Sequence, residues 1–371
     1  MLSLEKYYVA AIYGAPHLGS ARVQKLVEFF GDAQSVWTAE SGDIEKSGLP
    51  KNAIQSFLEF RDNNPDAPEK LIDYCNEKNI GLCSIYDEDY PPILKEIPTS
   101  PPVFYYYGKL EPFAERIAMV GTRENTEYGK KVAMEIAENL AAAGITIVSG
   151  AARGIDTFAH TGAMKRGRTV AVLGCGIAYA FANSTNEKMI REIAEHGVVM
   201  TDFNPSQKPS RETFPPRNRI IAGLSRGVIV VEAGERSGAD ITCGYAGDYG
   251  RDVFAVPGSI YWSKSIGCNR VIRDGAILIR DASDILEFYN WTQNKIVEEN
   301  ISETKQIDNE TLKLEGVEKK IFDVIPSGDF ITIDEILMSV EDVSPDEISS
   351  ILLQLEMKNC IVEQDGNYSR A

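Results

Sequence analysis

The segment 214–225 carries the residue types best suited to bind a phosphate. It reads Phe-Pro-Pro-Arg-Asn-Arg and continues as an apolar helix pattern, directly before a run over residues 227–231 that fits a buried strand. Proline is favoured in the first turn of a helix, where backbone N–H groups have no partner within the helix. Arg217, Asn218 and Arg219 would therefore stand beside free N–H groups and the positive end of the helix dipole. This combination favours a phosphate over a neutral small molecule.

The elements that must position this segment are the predicted strands of an α/β sheet. Within residues 91–289, apolar runs that fit buried strands alternate with amphipathic helix patterns, which is typical of a Rossmann-like, doubly wound and mostly parallel sheet. In such sheets, ligands bind beyond the carboxyl ends of the strands. The strands are predicted at 117–120, 145–149, 169–173, 197–201, 228–231 and 253–256, and nearly every one is followed by glycine, at Gly121, Gly150, Gly174 with Gly176, Gly234 and Gly258.

Two of the predicted strand ends carry an arginine in a glycine-containing loop. Arg123 follows the first strand, and residues 149–156 place Arg153 in the loop after the second strand. Both positions suit an anion at the carboxyl edge of the sheet. A surface arginine that pairs with Glu124 or Glu127 is the alternative interpretation of Arg123.

The acid–base residues near these loops have structural alternatives. Asp156 is expected to cap the helix that follows the second loop, and His160 on that helix is expected to be packed or hydrogen-bonded rather than catalytic. Glu232, beside Ser237 and Thr242, is the one arrangement that resembles a catalytic remnant. It leaves open a hydrolase or transferase that acts on a nucleotide monophosphate.

The sequence lacks the motifs of several enzyme classes. It has no Walker A spacing, the Gly-Cys-Gly at 174–176 lacks the third glycine of a dinucleotide fingerprint, and no serine stands in a Gly-x-Ser-x-Gly elbow. Six cysteines occur without a Cys-x-x-Cys pair and only three histidines accompany them, so we predict reduced thiols and no metal site. We expect no cofactor and no enzymatic activity.

Charge is distributed unevenly along the 371 residues, whose formal net charge is −17. Residues 112–289 carry 21 Lys+Arg against 20 Asp+Glu, whereas the segments on either side are strongly acidic. The central segment is therefore the part best able to present a face to a polyanion. The N-terminus lacks a basic and then apolar signal, and no apolar run approaches the length of a membrane span, so the expected location is the cytoplasm.

The sequence on either side of the central domain predicts two smaller domains. Residues 1–90 read as short helices separated by glycine and proline, similar to helix-hairpin-helix or SAM-like units, and their acidity favours a protein-docking or structural role over DNA contact. Residues 290–314 read as an acidic linker after the Rossmann-like domain at 91–289. Residues 315–371 predict a winged helix, whose acidic third helix favours contact with a protein over contact with DNA.

Six motifs in the central domain appear in the same order as in the DNA-processing protein A (DprA, or Smf) family, which the chain resembles. The resemblance implies a protein of bacterial natural transformation that binds and protects incoming single-stranded DNA and loads the RecA recombinase onto it. It also implies a homodimer and no established enzymatic activity, and it leaves room for contacts with other competence proteins. The motifs are residues 120–123, 149–156, 171–176, 214–225, 232–242 and 256–258.

The resemblance also implies a set of DNA contacts by position. Arg123 is expected to meet the DNA backbone, and Arg211 and Phe214 to supply a charge and a stacking ring, with Arg217 and Arg219 behind them. Phosphate attraction and base stacking tolerate any sequence, which suits single strands. A plain core position is the alternative for Phe214. The full predicted set is Gly121, Thr122, Arg123, Ser149, Gly150, Arg153, Gly154, Gly174, Gly176, Lys188, Arg211, Phe214, Arg217, Asn218, Arg219, Ser237 and Gly238.

The sequence departs from the family pattern at residues 181–183. Phe-Ala stands there in place of the usual Tyr-Pro, and Asn183 replaces a residue that is basic in some relatives. This departure predicts weaker DNA affinity or a shifted DNA path, unless Lys188 or Arg191 compensates. A third hypothesis, an adaptor that binds only proteins, stays open because both ends of the chain are acidic.

Overall fold

The chain divides into two compact units, residues 1–296 and residues 297–371. The computed structural model describes residues 4–183, 186–210, 212–235, 237–291, 316–326, 331–340, 343–357, 361–364 and 367–370. Nearly all of the predicted linker at 290–314 lies outside the described residues. Within the described stretches, no helix combines the length and the apolar character needed to cross a membrane.

Six helices form the first part of the larger unit, where the sequence predicts short helices joined at glycine. Gly31, with φ +92°, ends α2, and Gly48, with φ +71°, lies in the turn before α5. Lys25 Nζ, in the middle of α2, donates a hydrogen bond of 3.0 Å to the Gly48 carbonyl and so links α2 to the turn before α5. The helices are α1 (Glu5–Tyr13), α2 (Ser20–Phe30), α3 (Ala33–Thr38), α4 (Ser41–Glu45), α5 (Lys51–Asn63) and α6 (Ala67–Lys78).

A nine-stranded sheet forms the centre of the larger unit. The seven strands from β3 to β9 run parallel to one another. At one end of the sheet, β2 pairs antiparallel with β6, and β1 pairs antiparallel with β2. The strands are β1 (Gly81–Ser84), β2 (Val103–Gly108), β3 (Arg116–Val120), β4 (Thr146–Ser149), β5 (Thr169–Val172), β6 (Val198–Thr201), β7 (Gly227–Val230), β8 (Asp252–Ala255) and β9 (Ile277–Leu278).

Among the described residues, nine helices connect and cover the strands. They include long amphipathic segments that bury an apolar face on the sheet, as in α8, where Ala133, Ile136 and Leu140 are fully or almost fully buried. The helices are α7 (Pro92–Lys95), α8 (Glu127–Ala142), α9 (Ile155–Met164), α10 (Ile177–Asn183), α11 (Glu187–His196), α12 (Phe214–Gly223), α13 (Ala239–Asp248), α14 (Ile266–Arg273) and α15 (Ala282–Phe288).

The strand order reverses direction at β3, which creates a topological switch point. The spatial order is β1-β2-β6-β5-β4-β3-β7-β8-β9, so the chain builds outward from β3 on one side and then returns to build on the other. Alternate residues of β3 enter two different cores: Ile117 and Met119 pack with α8, whereas Ala118 and Val120 pack with α12 and α13. Ligands of open α/β sheets bind in the crevice at such a point.

The doubly wound, mostly parallel sheet predicted from the sequence is confirmed. The six predicted strands occur as β3 to β8, each within one residue of its expected ends. The sequence did not predict the antiparallel edge strand β1 or the two-residue strand β9.

The N-terminal helices share a hydrophobic core with the sheet. Ile12 of α1 and Phe57 of α5 are fully buried in the same cluster as Tyr105 of β2 and Val199 of β6. The Tyr13 hydroxyl also donates a hydrogen bond of 3.2 Å to an Asp202 carboxylate oxygen just after β6. Residues 1–90 therefore pack as part of the larger unit, and their independence as a domain stays a prediction.

The smaller unit has the element order of the predicted winged helix. Its three strands pair antiparallel with β12 in the middle, and Ile321, Ile336 and Leu352 form the centre of its core. Thr332 and Glu335 make reciprocal capping bonds at the start of the second helix. The elements are α16 (Gly316–Val324), β10 (Ile331–Thr332), α17 (Ile333–Ser339), α18 (Pro345–Met357), β11 (Ile361–Gln364) and β12 (Asn367–Arg370).

Candidate nucleic-acid interface

A cavity of about 270 Å³ opens at the switch point, beyond the carboxyl ends of β3 and β7. We call it the rim pocket. Most of its lining residues come from the two arginine-containing loops and from the segment 214–225. The lining residues that bear on function are Gly121, Arg123, Asp156, Phe214, Arg217 and Gly238.

The Phe214 side chain lies between two guanidinium groups in the rim pocket. The Arg123 Cζ atom is 5.2 Å from the ring centroid, and the Arg217 Cζ atom is 5.9 Å from it. Both distances are within the range of cation–π attraction. The ring is only partly buried, and it contacts the backbone of Gly174, where an added Cβ would lie 3.0 Å from a ring carbon. The Phe214 ring is therefore fixed in position by its neighbours but partly exposed to solvent, so it is not a plain core residue.

Among the described residues, three helices begin at the rim pocket without a cap from the side chain of their own N-cap residue. They are α9, α12 and α13, whose N-cap residues are Gly154, Thr213 and Gly238, and the first N–H of α13 donates to the Ser237 hydroxyl instead. The α12 helix has proline in its first turn, as the sequence indicated. By contrast, the side chain of Thr126 caps α8 by accepting from the Gly129 N–H. The dipoles of these helices favour negative charge at their N-termini, although Pro215 and Pro216 of α12 have no N–H group and the first N–H of α9 donates to the Thr122 carbonyl.

Arg123 and Arg153 place two exposed cations at the mouth of the rim pocket. The Arg153 Nε–H donates to the Arg123 carbonyl at 3.3 Å. Over the described part of the chain, neither guanidinium has a carboxylate within 4 Å, because Glu124 pairs with Lys264 and Glu127 pairs with Lys130. The alternative interpretation of Arg123, a surface residue paired with either glutamate, therefore does not describe this structure. Both cations are available to an external anion.

Arg217 is buried below Phe214 and holds the ends of two strands. Its guanidinium donates to the Gly150 carbonyl at 2.8 Å and to the Val172 carbonyl, and its Nε–H donates to Asn218 Oδ1 at 3.0 Å. A Cβ at position 150 would lie about 2.6 Å from this guanidinium, so only glycine leaves room for it. Burial lowers the pKa of Arg217, while the nearby Asp156 carboxylate opposes that shift. Arg217 thus fixes the floor of the pocket.

Asp156 and His160 hold the second loop in its shape. The Asp156 carboxylate accepts from the backbone N–H groups of Gly150, at 3.2 Å, and Ala152, at 3.4 Å, and burial raises its pKa. His160 Nε2 accepts from the Ala151 N–H at 3.3 Å. This bond supports a left-handed backbone at Ala151, where φ is +53°, an uncommon value for a residue other than glycine.

His160 is a neutral, fully buried side chain. The Thr169 hydroxyl donates to the Ile147 carbonyl, so it accepts from His160 Nδ1–H at 2.6 Å, which leaves Nε2 as the acceptor for Ala151. Burial and the charge on Arg217 lower the pKa of His160 to about 3. The expectation that His160 is packed and hydrogen-bonded agrees with this arrangement. The expectation that Asp156 caps the helix was wrong, because Gly154 is the N-cap residue and the Asp156 carboxylate instead accepts from N–H groups of the preceding loop.

Gly154 brings the two arginine-containing loops together. Its φ of +96° is open only to glycine at low cost, and an added Cβ would lie 2.3 Å from the Thr122 carbonyl oxygen and 2.7 Å from the Arg123 Cα. The Ile155 N–H donates to the same Thr122 carbonyl at 3.1 Å. The close approach at Gly154 places Arg123 and Arg153 side by side.

Several predicted site residues do not face the rim pocket. The buried Ser149 hydroxyl donates to the Met119 carbonyl at 2.7 Å, and the Gly176 N–H donates to the Gln207 carbonyl at 2.9 Å. Lys188 is exposed on α11, 4.0 Å from Glu192, and the Ser237 hydroxyl accepts from the Ala239 N–H at 3.2 Å. Arg211 lies outside the described residues.

Arg219 is a special case among the predicted contacts. It is buried, and its guanidinium donates to the Thr99 carbonyl and forms an ion pair with Asp202, which also accepts from Tyr13. These contacts join α12 to the linker before β2 and to the loop after β6. Any contact between Arg219 and a ligand would require this buried pair to open, at a high cost in free energy.

The Glu232 carboxylate accepts two hydrogen bonds from Thr126, the N-cap residue of α8. One oxygen accepts from the Thr126 N–H at 2.9 Å and the other from the Thr126 hydroxyl at 2.5 Å. The side chain is 2% exposed and lies where a Cβ on Gly129 would collide with it. The arrangement that resembled a catalytic remnant is therefore a structural contact at the start of α8. Among the described residues, no group of three His, Cys, Asp or Glu side chains is placed to bind a metal.

The pocket also contains residues that the sequence analysis missed. Ile241, on the first turn of α13, is 42% exposed and lines the pocket opposite Phe214, together with Pro215 and Thr242. An exposed isoleucine on an otherwise ordinary helix carries no signal in the sequence. Only its position after Gly238, at the same edge of the sheet, could have indicated it.

The fold and the site define a class: a Rossmann-like α/β protein whose switch point has a partly exposed aromatic ring and cations without carboxylate partners among the described residues. The model of the DNA recombination-mediator protein A family matches residues 81–290 of the chain. The chain therefore belongs to this family, which confirms the resemblance noted in the sequence.

Relatives of known name cover most of the chain. It is 35% identical to Protein Smf of Synechocystis over 77% of this chain and 73% of the relative. It is 30% identical to Protein Smf of Escherichia coli over 94% of both chains. With DNA processing protein DprA of Streptococcus pneumoniae it shares 42% identity over 56% of this chain and 74% of the relative.

Two solved structures resemble the fold. DNA processing protein A from Streptococcus pneumoniae superimposes with a TM-score of 0.67 at 33% identity, over 76% of this chain and 97% of that one. DNA processing protein A from Helicobacter pylori, solved to reveal its mode of binding single-stranded DNA, superimposes with a TM-score of 0.51 at 25% identity, over 59% of this chain and 96% of that one.

Proposed function

We propose that this protein binds single-stranded DNA in the rim pocket, without regard to sequence. In this proposal the exposed guanidinium groups of Arg123 and Arg153 contact backbone phosphates, and a base stacks on the Phe214 ring. The N-termini of α9 and α12 favour a phosphate between them. Arg217 and the backbone at Gly150 and Gly174 hold the ring and the loops in place.

The single observation that carries the proposal is the partly exposed Phe214 ring near two guanidinium groups, of which that of Arg123 has no carboxylate partner in the described regions. A partly exposed ring suits a base, and a cation without a carboxylate partner suits a phosphate. Neither feature distinguishes one base from another. A duplex stacks its bases inside, so the arrangement favours a single strand.

We propose further that the DNA-bound protein acts in natural transformation and recombination. There it would protect incoming single strands and load the RecA recombinase onto them as a homodimer. Family membership and the single-stranded DNA binding mode named for the Helicobacter pylori relative support the DNA-processing part of this step, and RecA loading and the homodimer are what the family resemblance implies. The acidic N-terminal helices and the acidic winged-helix unit are the proposed contacts for RecA or other competence proteins. In this proposal the protein acts without catalysis, without a cofactor and in the cytoplasm.

A binding titration tests the central part of the proposal. Fluorescence anisotropy of a labelled oligo-dT, and of a duplex of equal length, would be followed at several salt concentrations. We expect tighter binding to the single strand, and an affinity that falls as salt rises because phosphate contacts release counterions. We expect Arg123→Ala to weaken single-strand binding by about tenfold or more, which corresponds to the loss of one charge-assisted contact.

Lys165→Ala provides a control for net charge. Lys165 is an exposed cation just after α9, at the end of that helix away from the rim pocket, where it pairs with Glu138. We expect this variant to bind the single strand as the wild type does. Equal binding to single strand and duplex, or equal losses in both variants, would rule out the rim pocket as a specific site for single strands.

A further inference from the structure

A second cavity, of about 490 Å³, lies between the N-terminal helices and the central sheet. We call it the α6–α10 groove. Tyr74 and Lys78 of α6 form one wall, and Tyr179 and Phe181 of α10 form the other, with Arg191 of α11 at its edge. The volume is within the range of small-ligand sites. Among the residues that line it, the sequence connected only residues 181–182 and Arg191 with DNA affinity, and the lining of the rim pocket includes none of the groove residues.

The groove is lined by aromatic rings that are held in place but not buried. Tyr107 and Phe181 make an edge-to-face contact with ring centroids 5.0 Å apart. The Arg191 Cζ atom lies 4.9 Å from the centroid of the Phe181 ring. The Tyr74 hydroxyl accepts from the Ser206 hydroxyl at 3.1 Å, which orients its ring across the groove. Four partly exposed rings in one cavity provide several faces on which a base can stack.

The charge of the groove favours an anionic chain. Its lining contains two cations, Lys78 and Arg191, and no carboxylate among the described residues. The partners of these cations lie outside the cavity: Lys78 pairs with Glu77 at 2.7 Å and Arg191 with Glu187 at 2.9 Å. Exposed pairs of this kind contribute little to stability, so a phosphate can compete for the cations. A positive lining is notable in a protein with a net charge of −17.

One segment of the chain leads from the neighbourhood of the rim pocket to the groove. Gly174 touches the Phe214 ring in the rim pocket, and α10 begins three residues later. Beyond α10, the Asn186 side-chain amide donates to the Ala151 carbonyl in the second loop at 3.1 Å. The chain from Gly174 to Phe181 can span at most ~25 Å, a distance that a few nucleotides cover.

We propose that the α6–α10 groove is a second subsite for the same single strand, with bases stacked on Tyr179 and Phe181 and phosphates near Lys78 and Arg191. The inference rests on the proposed function of the rim pocket and extends it to the N-terminal helices. It assigns α6 a role in DNA binding, although the acidic composition of residues 1–90 predicted none. A strand that fills both sites must be longer than one that fills the rim pocket alone.

Binding as a function of DNA length tests this proposal. Anisotropy titrations would use full-length protein with a series of labelled oligo-dT strands, from a few nucleotides to about 20. We expect Phe181→Ala and Tyr179→Ala to leave the affinity for the shortest bound strands unchanged. For the longest strands we expect each to lower affinity by roughly 5-fold or more, the effect of losing one stacked base. Lys78→Glu, on an exposed side chain, tests the same site without altering packing.

The control variants separate the two sites. Arg123→Ala should weaken binding at every length, whereas Phe113→Ala, which removes an exposed ring at the other edge of the sheet, should weaken none. Thermal melting of each variant checks that the fold is intact. If Arg123→Ala weakens binding while Lys78→Glu and Tyr179→Ala match the wild type at all lengths, the groove is not a subsite and the rim pocket stands. If Arg123→Ala has no effect, the proposed function itself fails.

Discussion

The two edges of the central sheet both carry arginine-lined cavities, yet only one is suited to bind an external anion. At the carboxyl ends of the strands, the rim pocket has exposed Arg123 and Arg153 without carboxylate partners in the described regions. At the amino ends, a larger cavity of about 460 Å³ is lined by Arg116, Arg226 and Arg251. Each of these three arginines already has partners within the protein.

The partners at the amino-end cavity are carboxylates and carbonyl groups. Arg226 makes a two-bond pair with Glu115 at 2.8 and 3.0 Å, and Arg251 pairs with Glu96 at 2.9 Å. Arg116 is buried, donates to backbone carbonyls before β3, and has its pKa lowered to about 10 by burial. The comparison teaches that cavity size and arginine count do not identify a site. What distinguishes the rim pocket from the amino-end cavity is that its exposed cations have no carboxylate partner among the described residues and lie near a held aromatic ring.

The largest loss of DNA affinity is expected when both exposed arginines of the rim pocket are replaced. We expect Arg123→Ala combined with Arg153→Ala to weaken single-strand binding by about 100-fold, because two charge-assisted contacts are lost. The slope of log affinity against log salt should flatten by roughly 0.7 for each phosphate contact removed. Anisotropy titrations of oligo-dT at four salt concentrations measure both quantities.

Arg226→Ala is the matched control at the amino-end cavity. It removes a half-exposed arginine with the same formal charge, but one that Glu115 already neutralises. We expect no change in affinity or salt slope beyond twofold. A loss at Arg226 equal to that at the rim would mean that net charge, not the rim pocket, governs binding.

The next effect concerns the ring rather than the charges. We expect Phe214→Ala to weaken single-strand binding by about tenfold, since one stacked base is worth roughly 1–3 kcal/mol, while the salt slope stays at its wild-type value. Phe214→Trp should retain most of the affinity. Quenching of a 2-aminopurine base within the oligonucleotide would report stacking directly and should disappear only in the alanine variant.

The ring at the other edge sharpens this result. Phe113 is 78% exposed and lines the amino-end cavity, so it is the more accessible of the two rings. If Phe113→Ala reduced affinity as much as Phe214→Ala, then exposure of an aromatic ring would be enough and its place beside Arg123 would carry no weight.

A smaller loss of DNA affinity is expected from a substitution at Gly154, where the backbones of the two loops meet. Gly154→Ala combines a positive φ with a collision against the backbone of Thr122 and Arg123. We expect it to lower the free energy of unfolding by about 2 kcal/mol or more. It should also weaken DNA binding, because Arg123 and Arg153 are no longer held side by side. Urea denaturation and anisotropy measure the two losses.

Gly275→Ala measures the loss of stability from a positive φ alone, without a steric collision. Gly275 has a φ of +112° in the turn after α14, and a Cβ there would meet nothing within 4 Å. We expect it to lower the free energy of unfolding by about 1 kcal/mol and to leave DNA binding unchanged. Equal losses in the two glycine variants would show that the close approach at Gly154 has no role of its own.

Much of the central fold could be predicted because its signals are local. The six strands from β3 to β8 are apolar runs, most of them followed by glycine, and such runs are recognisable without knowledge of the partner strands. The edge strands β1 and β9 could not be predicted, because four or two residues carry no periodicity and pair only where the fold places a neighbour. The reversal of strand order at β3 is likewise a property of the assembled sheet.

The residue types of the site could be predicted from the sequence, but the directions of their side chains could not. Phe214 and Arg123 meet in the rim pocket, as the resemblance implied, although their role in DNA binding stays a prediction. Arg217 and Arg219 are two residues apart on α12, so their side chains point to opposite sides of the helix. One therefore lies beneath the Phe214 ring and the other pairs with Asp202, and a single face of the helix could not have presented both to a ligand.

The last and smallest effect is a pH dependence set by His160. Its pKa is lowered from 6.5 to about 3 by burial, so the folded protein keeps it neutral while the unfolded chain takes up a proton as pH falls through about 6.5. Stability contributed by the neutral ring is thus fully present above that pH and is lost below it. From pH 7 to pH 6, this one group should lower the free energy of unfolding by about 0.7 kcal/mol.

His160→Gln tests this because it removes the titrating group. The variant should be less stable overall, since the support for Ala151 is altered, but its stability should fall less steeply from pH 7 to pH 6 than that of the wild type. His196→Gln, on an exposed histidine at the end of α11, should keep the wild-type pH dependence. Identical pH dependence in the His160 variant and the wild type would mean that the ring does not stay neutral in the folded protein. In that case the loop that carries Arg153 would not depend on a neutral ring, and the rim pocket would owe its shape to Asp156 and Arg217 alone.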